Sequence, residues 1–86
     1  MKYETILDFK DGNTPRRILT LDGIIELEEG EFFRLGKEVL NEPGSLLPRP
    51  GLYEVRSKVI GVYNKGLFYR QVVQAYYDLE LKKADN

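Results

Sequence analysis

Residues 52–81 carry the pattern that most restricts how this chain folds. Apolar side chains alternate along Leu52–Tyr63, a turn signal follows at Asn64-Lys65-Gly66, and alternation resumes along Leu67–Leu81. A period of two marks a strand with one buried face. A three-residue turn ending in glycine suits a hairpin whose last loop residue is left-handed. Folding the arms about Lys65 pairs Tyr63 with Leu67, Gly61 with Tyr69, Ser57 with Val73, Val55 with Ala75 and Tyr53 with Tyr77. That register gives one apolar ladder on one face, whereas a slip of one residue sets Val59 against Arg70. A helical reading of 67–81 exists, with Phe68, Val72, Ala75, Tyr76 and Leu79 as its stripe. The β-branched and aromatic content of the arm favours the strand.

The N-terminal third reads the same way. Tyr3, Thr5, Leu7 and Phe9 alternate along residues 2–9, Asp11-Gly12-Asn13 makes a turn, and Arg16–Leu21 returns with Ile18 facing away from Leu19 and Leu21. Asp22-Gly23 is a second turn. Residues 24–42 admit two readings: an acidic hairpin turning at Glu29-Gly30, or a helix through Leu27, Phe32, Leu35, Val39 and Leu40. Gly30 and Gly36 each cost a helix about 1 kcal/mol. The expectation is therefore strand as far as Leu35, then one helical turn over Lys37–Asn41. Pro43, Pro48 and Pro50 make Glu42–Gly51 a loop.

Eighty-six residues are room for one domain, 1–86, with residues 82–86 expected to fray. The expected fold is mainly β: a small antiparallel sheet or partly open barrel with a long C-terminal β-hairpin and at most one short helix. A core this small often needs reinforcement, and the chain has neither cysteine nor histidine, so disulfides and the usual zinc sites are excluded. Self-association is what remains. No apolar run is long enough to cross a bilayer as a helix and no apolar signal core follows Met1-Lys2, so a cytoplasmic protein without a membrane partner is expected.

The missing residue types also restrict chemistry. The usual nucleophile–base pairs and thiol reactions are absent, and Ser45 and Ser57 have no base near them in sequence. Glu26, Glu28, Glu29 and Glu31 match no calcium loop and read as a solvated rim. Gly30–Lys37 has one residue too many between its glycines for a phosphate loop, and Glu38 stands where Ser or Thr must hold magnesium. No catalytic residue, cofactor or metal is expected. The protein reads as a non-enzyme.

Residues 19–56 carry a pattern found elsewhere. Leu19–Gly23, Glu31-Phe32, Asn41-Glu42-Pro43-Gly44, Arg49 and Leu52 fall in that order. The series resembles the winged-helix DNA-binding domains of response regulators, where a strand pair, a helix opening on Glu-Phe, an Asn-Pro-Gly turn and an Arg- and Leu-bearing second helix follow one another. The resemblance implies a winged-helix α+β fold, with a recognition helix near 67–81 and DNA as partner. An extra residue separates Asn41 from Pro43, and Pro48 and Pro50 fall where the second helix would run.

Charge is segregated. Residues 22–42 carry seven acids against Arg34 and Lys37, a net of −5, and residues 48–83 carry seven bases against three acids, a net of +4. With Tyr53, Val55, Val73 and Tyr77 taken as core, the other face of the hairpin shows Arg56, Lys58, Ile60, Val62, Phe68, Arg70, Val72, Gln74 and Tyr76. A solvated antiparallel sheet has a polar outer face, and this one mixes aromatic, apolar and cationic groups. Either other parts of the chain cover it or it binds. The binding residues are then Arg56, Lys58, Phe68, Arg70, Gln74 and Tyr76, and the partner is a second copy or a host protein. The alternative is nucleic acid or a nucleotide, stacked on Phe68 and Tyr76 with phosphates on the three cations. Compactness, no targeting segment and no catalytic residues are together typical of phage or viral accessory proteins that bind and inhibit a host component, and this is the functional expectation.

Overall fold

A computed structural model describes residues 1–12, 17–36, 48–66 and 70–85. Five strands form one sheet: β1 (Lys2–Lys10), β2 (Arg17–Asp22), β3 (Phe32–Leu35), β4 (Gly51–Lys65) and β5 (Arg70–Ala84), in the order β2-β1-β5-β4-β3. The sheet curls into a half-barrel. The fold is mainly β, as the alternation requires, with no helix among the described residues. The winged-helix alternative does not hold: Phe32–Leu35, where a helix was expected to open, is β3, and the expected recognition helix is β5 from Arg70 onward. The helical turn expected over Lys37–Asn41 lies outside the described residues. No helix is long and apolar enough to cross a membrane among the described residues.

The sheet is mixed rather than purely antiparallel. β1 runs parallel to β5, from Lys2 beside Val72 to Lys10 beside Glu80, and every other pair is antiparallel. β1 keeps the predicted alternation, with Thr5, Leu7 and Phe9 buried on the inner face. In β2, Leu19 and Leu21 pack against the core while Ile18 points to solvent.

The acidic hairpin expected over residues 24–35 does not form. Ile24–Glu28 joins no ladder, and only Phe32–Leu35 is strand, paired with Gly51–Glu54 of β4. Two further bonds, Gly30 N to Val55 O at 2.8 Å and Val55 N to Glu31 O at 2.9 Å, extend that pairing by one step. The aperiodic segment lies across the open side of the half-barrel and is fixed by side chains. Thr5 Oγ1 donates to Gly23 O at 2.8 Å and accepts from Ile25 N at 2.9 Å. The Tyr77 hydroxyl donates to Ile25 O at 2.6 Å and accepts from Leu27 N at 3.1 Å. These contacts satisfy backbone groups that a ladder would otherwise pair. They also seat Leu27 in the core with Leu7, Phe9, Leu35, Tyr53, Val55, Ala75, Tyr77 and Leu79. Phe9 meets Tyr53 edge-on at 4.8 Å between ring centroids.

The C-terminal hairpin exists, in a different register. Its ladder runs from Lys65 opposite Arg70 to Gly51 opposite Ala84, so Lys65 is still strand and Gly66, at φ +83°, follows directly on β4 instead of closing the turn. Val55 faces Leu79 rather than Ala75, and Tyr53 faces Leu81 rather than Tyr77. In the expected register Leu79 would have ended opposite Gly51, leaving residues 80–84 to face a segment whose prolines donate no hydrogen bond. The observed register pairs both arms along their whole length. β5 is accordingly in the ladder through Ala84, and Asp85 N donates to Pro50 O at 3.0 Å, where fraying was expected from residue 82. Gly51 permits this closure, because a Cβ there would collide with the backbone of Lys83 and Ala84.

Two expected outcomes follow from this packing. Tyr77→Phe leaves the Ile25 carbonyl and the Leu27 amide without their partner and should destabilise the protein by about 1–3 kcal/mol in urea unfolding. Tyr53 is fully buried and donates to Arg49 O at 2.6 Å; burial first, then the nearby Asp11, pushes its pKa up to about 12. The fold therefore holds the neutral phenol. Its contribution is intact below the ordinary tyrosine pKa of 10.0 and is lost as pH rises towards about 12. Spectrophotometric titration should show a late phenol that is lost in Tyr53→Phe.

Candidate functional site

A β-bulge at Arg56 decides where the hairpin's side chains point. The pairing shifts between Val55 and Ser57, so the inner face passes from odd residues in β4 (Tyr53, Val55) to even ones (Lys58, Ile60, Val62). Such a bulge inserts one residue and reverses the alternation beyond it. Rows across the sheet then read Phe9-Leu79-Val55, Leu7-Tyr77-Lys58, Thr5-Ala75-Ile60 and Tyr3-Val73-Val62 on the inner face. On the outer face they read Asp8-Asp78-Ser57, Ile6-Tyr76-Val59, Glu4-Gln74-Gly61 and Lys2-Val72-Tyr63.

Of the six residues expected to form one binding face, the five that are described are therefore not brought together. Lys58 is on the inner face, 3.2 Å from Glu26 and 3.7 Å from Glu28, with its ammonium 6.0 Å from the Tyr77 ring centre. Hydrogen bonding to Glu26 holds its pKa above the usual lysine value. Arg56 sits at the bulge between Glu54 at 3.0 Å and Glu80 at 3.4 Å. Gln74 and Tyr76 share the outer face but are engaged within it, Gln74 Nε2 donating to Glu4 Oε1 at 2.7 Å and the Tyr76 hydroxyl to Asp8. Arg70 lies at the far end of the hairpin and lines an open cleft of about 550 Å³ with Lys2, Glu4, Gln71 and Val72. Phe68 lies outside the described residues.

The outer face near the core is polar after all. Ser57 Oγ donates to Asp78 at 2.8 Å, Lys10 reaches the same carboxylate at 3.4 Å, and Lys82 approaches Glu54 and Glu80 at 3.4 Å each. It is not simply a solvated face, since Asp8 in this row is fully buried and Glu4 on the same side is nearly so. Its cations already face carboxylates, which leaves little net positive field for a polyanion.

What stands out instead is a contrast along the hairpin. At its base, Tyr53 and Val55 are buried. Towards its tip, Val59 is 55% exposed, Ile60 55%, Val62 62% and Tyr63 46%. These residues occupy both faces of β4. The strand also has a free side here: β3 and the Gly30-Glu31 bridge reach only as far as Val55, and among the described residues β4 beyond Arg56 pairs with β5 alone. On the other side β5 is covered by β1, so the tip of β4 is an edge strand. A free edge presents a row of unpaired amide and carbonyl groups. Val59 and Tyr63 are the residues missed from sequence, where alternation places them in the core. The omitted bulge is the reason.

No protein-family model matches the chain, and neither the curated proteins nor the solved structures searched contain a similar one.

The charge pairs at the hairpin base predict a pH effect. Hydrogen bonding to Arg56, with help from Lys82, holds the Glu54 carboxyl below its usual range. A lowered carboxyl pKa adds stability above the unfolded value, and that stability disappears as pH falls through the folded one. Glu54→Gln should flatten the acid limb of the stability–pH profile, and added salt should shrink the difference between the two proteins.

Proposed function

We propose that this protein is a non-enzymatic binding protein that engages a protein partner through the tip of the β4–β5 hairpin. The partner adds a strand to the open side of β4. The observation that carries this reading is the coincidence of an unpaired edge with exposed Val59, Ile60, Val62 and Tyr63 on both faces of that edge. Strand addition supplies affinity through main-chain hydrogen bonds and specificity through alternate side chains. Residues 58–64 offer both. The pairing of Arg56 and Lys58 with carboxylates favours a protein over nucleic acid.

The test is affinity capture from the native cell with the wild-type chain and with Val62→Lys, a substitution at an exposed position that places a charge on the edge. The expected result is a protein retained by the wild type, lost with Val62→Lys and little affected by salt. Retention of oligonucleotides in place of protein, with affinity falling steeply as salt rises, would reverse the assignment.

A further inference from the structure

We propose that the partner is a second copy of the chain, joined antiparallel through β4 in the register that sets Gly61 opposite Gly61. The inference rests on the protein-binding reading and adds the occupant and its alignment.

An isologous antiparallel strand pair has its two-fold axis perpendicular to the sheet, so each possible register is centred on one residue facing its own copy. Only a few centres keep the exposed segment in the contact. Centring on Ile60 sets Lys58 against Val62 and Val59 against Gly61. Centring on Val62 sets Ile60 against Asn64 and leaves Tyr63 against Gly61. Centring on Gly61 pairs Ile60 with Val62 on the inner face and Val59 with Tyr63 on the outer face, each twice by symmetry. Lys58 then meets Asn64, and no like charges oppose each other. This single alignment matches all four exposed apolar residues of the edge with one another.

Gly61 fits the centre of that contact. The Tyr63 ring already lies over it, with Oη 2.8 Å and Cζ 2.9 Å from where a Cβ would stand. Two glycines facing each other would leave a gap on the outer face, and the two Tyr63 rings close it from either side. The inner row Tyr3-Val73-Val62 would continue across the axis onto Ile60 of the second copy. Two half-barrels would then share one continuous sheet, and neither β4 would retain an open side.

The chain has no cysteine, so introduced thiols report the register directly. Directly opposed residues are within disulfide reach, whereas diagonal neighbours about 7–8 Å apart are not. Mild oxidation of a mixture of Ile60→Cys and Val62→Cys proteins should give a crosslinked dimer, and either protein alone should stay uncrosslinked. Sedimentation of the wild type should show a concentration-dependent dimer, and Val62→Lys should weaken it by about two- to thirtyfold, since the change is felt twice across the axis. Circular dichroism checks that the variants keep the wild-type fold. A crosslink formed by Ile60→Cys alone overturns the register. A wild type that stays monomeric throughout the micromolar range, yet captures a protein that Val62→Lys loses, overturns self-pairing and leaves the binding reading standing. A dimer untouched by Val62→Lys removes the edge from both.

Discussion

The hydroxyl of Tyr77 joins the regular and irregular parts of this molecule. Its ring is buried between Leu7 of β1 and Lys58 of β4 in one row of the sheet, and its oxygen bonds two backbone groups of a segment that has no ladder. A half-barrel of five strands has one open side, and its apolar lining must be covered. Residues 24–28 do this as an aperiodic strap, which works because Tyr77 and Thr5 stand in for missing strand partners. Burying a side chain the size of Leu27 contributes roughly 1.5–3 kcal/mol, and it requires the strap to be placed correctly. The register of β5 sets that placement, because it decides which row carries the phenol.

That register is fixed from both sides. β1 holds β5 in parallel, with Leu7 beside Tyr77 and Phe9 beside Leu79, and β4 holds it antiparallel, with Val55 opposite Leu79. The parallel contact joins residues some seventy positions apart, so it can form only after most of the chain has been gathered. A hairpin alone is marginal in water. The C-terminal hairpin gains its stability at the base, where Phe9, Tyr53, Tyr77 and Leu79 interlock, and its tip extends past that core. The overall extents of 45 × 31 × 22 Å record this: fifteen strand residues at about 3.3 Å each are long enough to span the whole of the long dimension.

How much of this could be read from the sequence depends on the scale. Alternation alone located β1, β2 and the hairpin and gave the mainly β class, because one-sided burial leaves a period of two wherever a strand is regular. The bulge escaped because Arg56 continues the polar–apolar rhythm after Val55, and the reversal it causes appears only in which residues meet β5. One inserted residue was enough to put Lys58 beneath the sheet, expose Val59 and Tyr63, and separate Lys58 from Gln74 and Tyr76 on the opposite face. The strap escaped for another reason: its partners are side chains of Thr5 and Tyr77, many positions away, and no local pattern encodes them. The loop was misplaced because Asn64-Lys65-Gly66 is a competent turn by local rules, and full pairing of two fifteen-residue arms outweighs a local preference.

The two ends of β4 obey different constraints, and this is where fold and function meet. Towards the base the hairpin's cations face carboxylates: Arg56 and Lys82 with Glu54 and Glu80, and Lys58, on the inner face, with Glu26 and Glu28. Exposed pairs of this kind contribute about 0–1 kcal/mol each, so their main effect is to keep the base well solvated and locally neutral. From Val59 to Tyr63 there is no charge at all, although an exposed edge is the position where charge, proline or a short strand normally guards against unwanted pairing. A β-branched and aromatic run left unguarded there is costly to a protein that stays alone and useful to one whose edge is occupied. The contrast along one strand, charge-compensated towards its base and apolar where its side is open, is the feature on which the proposed strand addition rests.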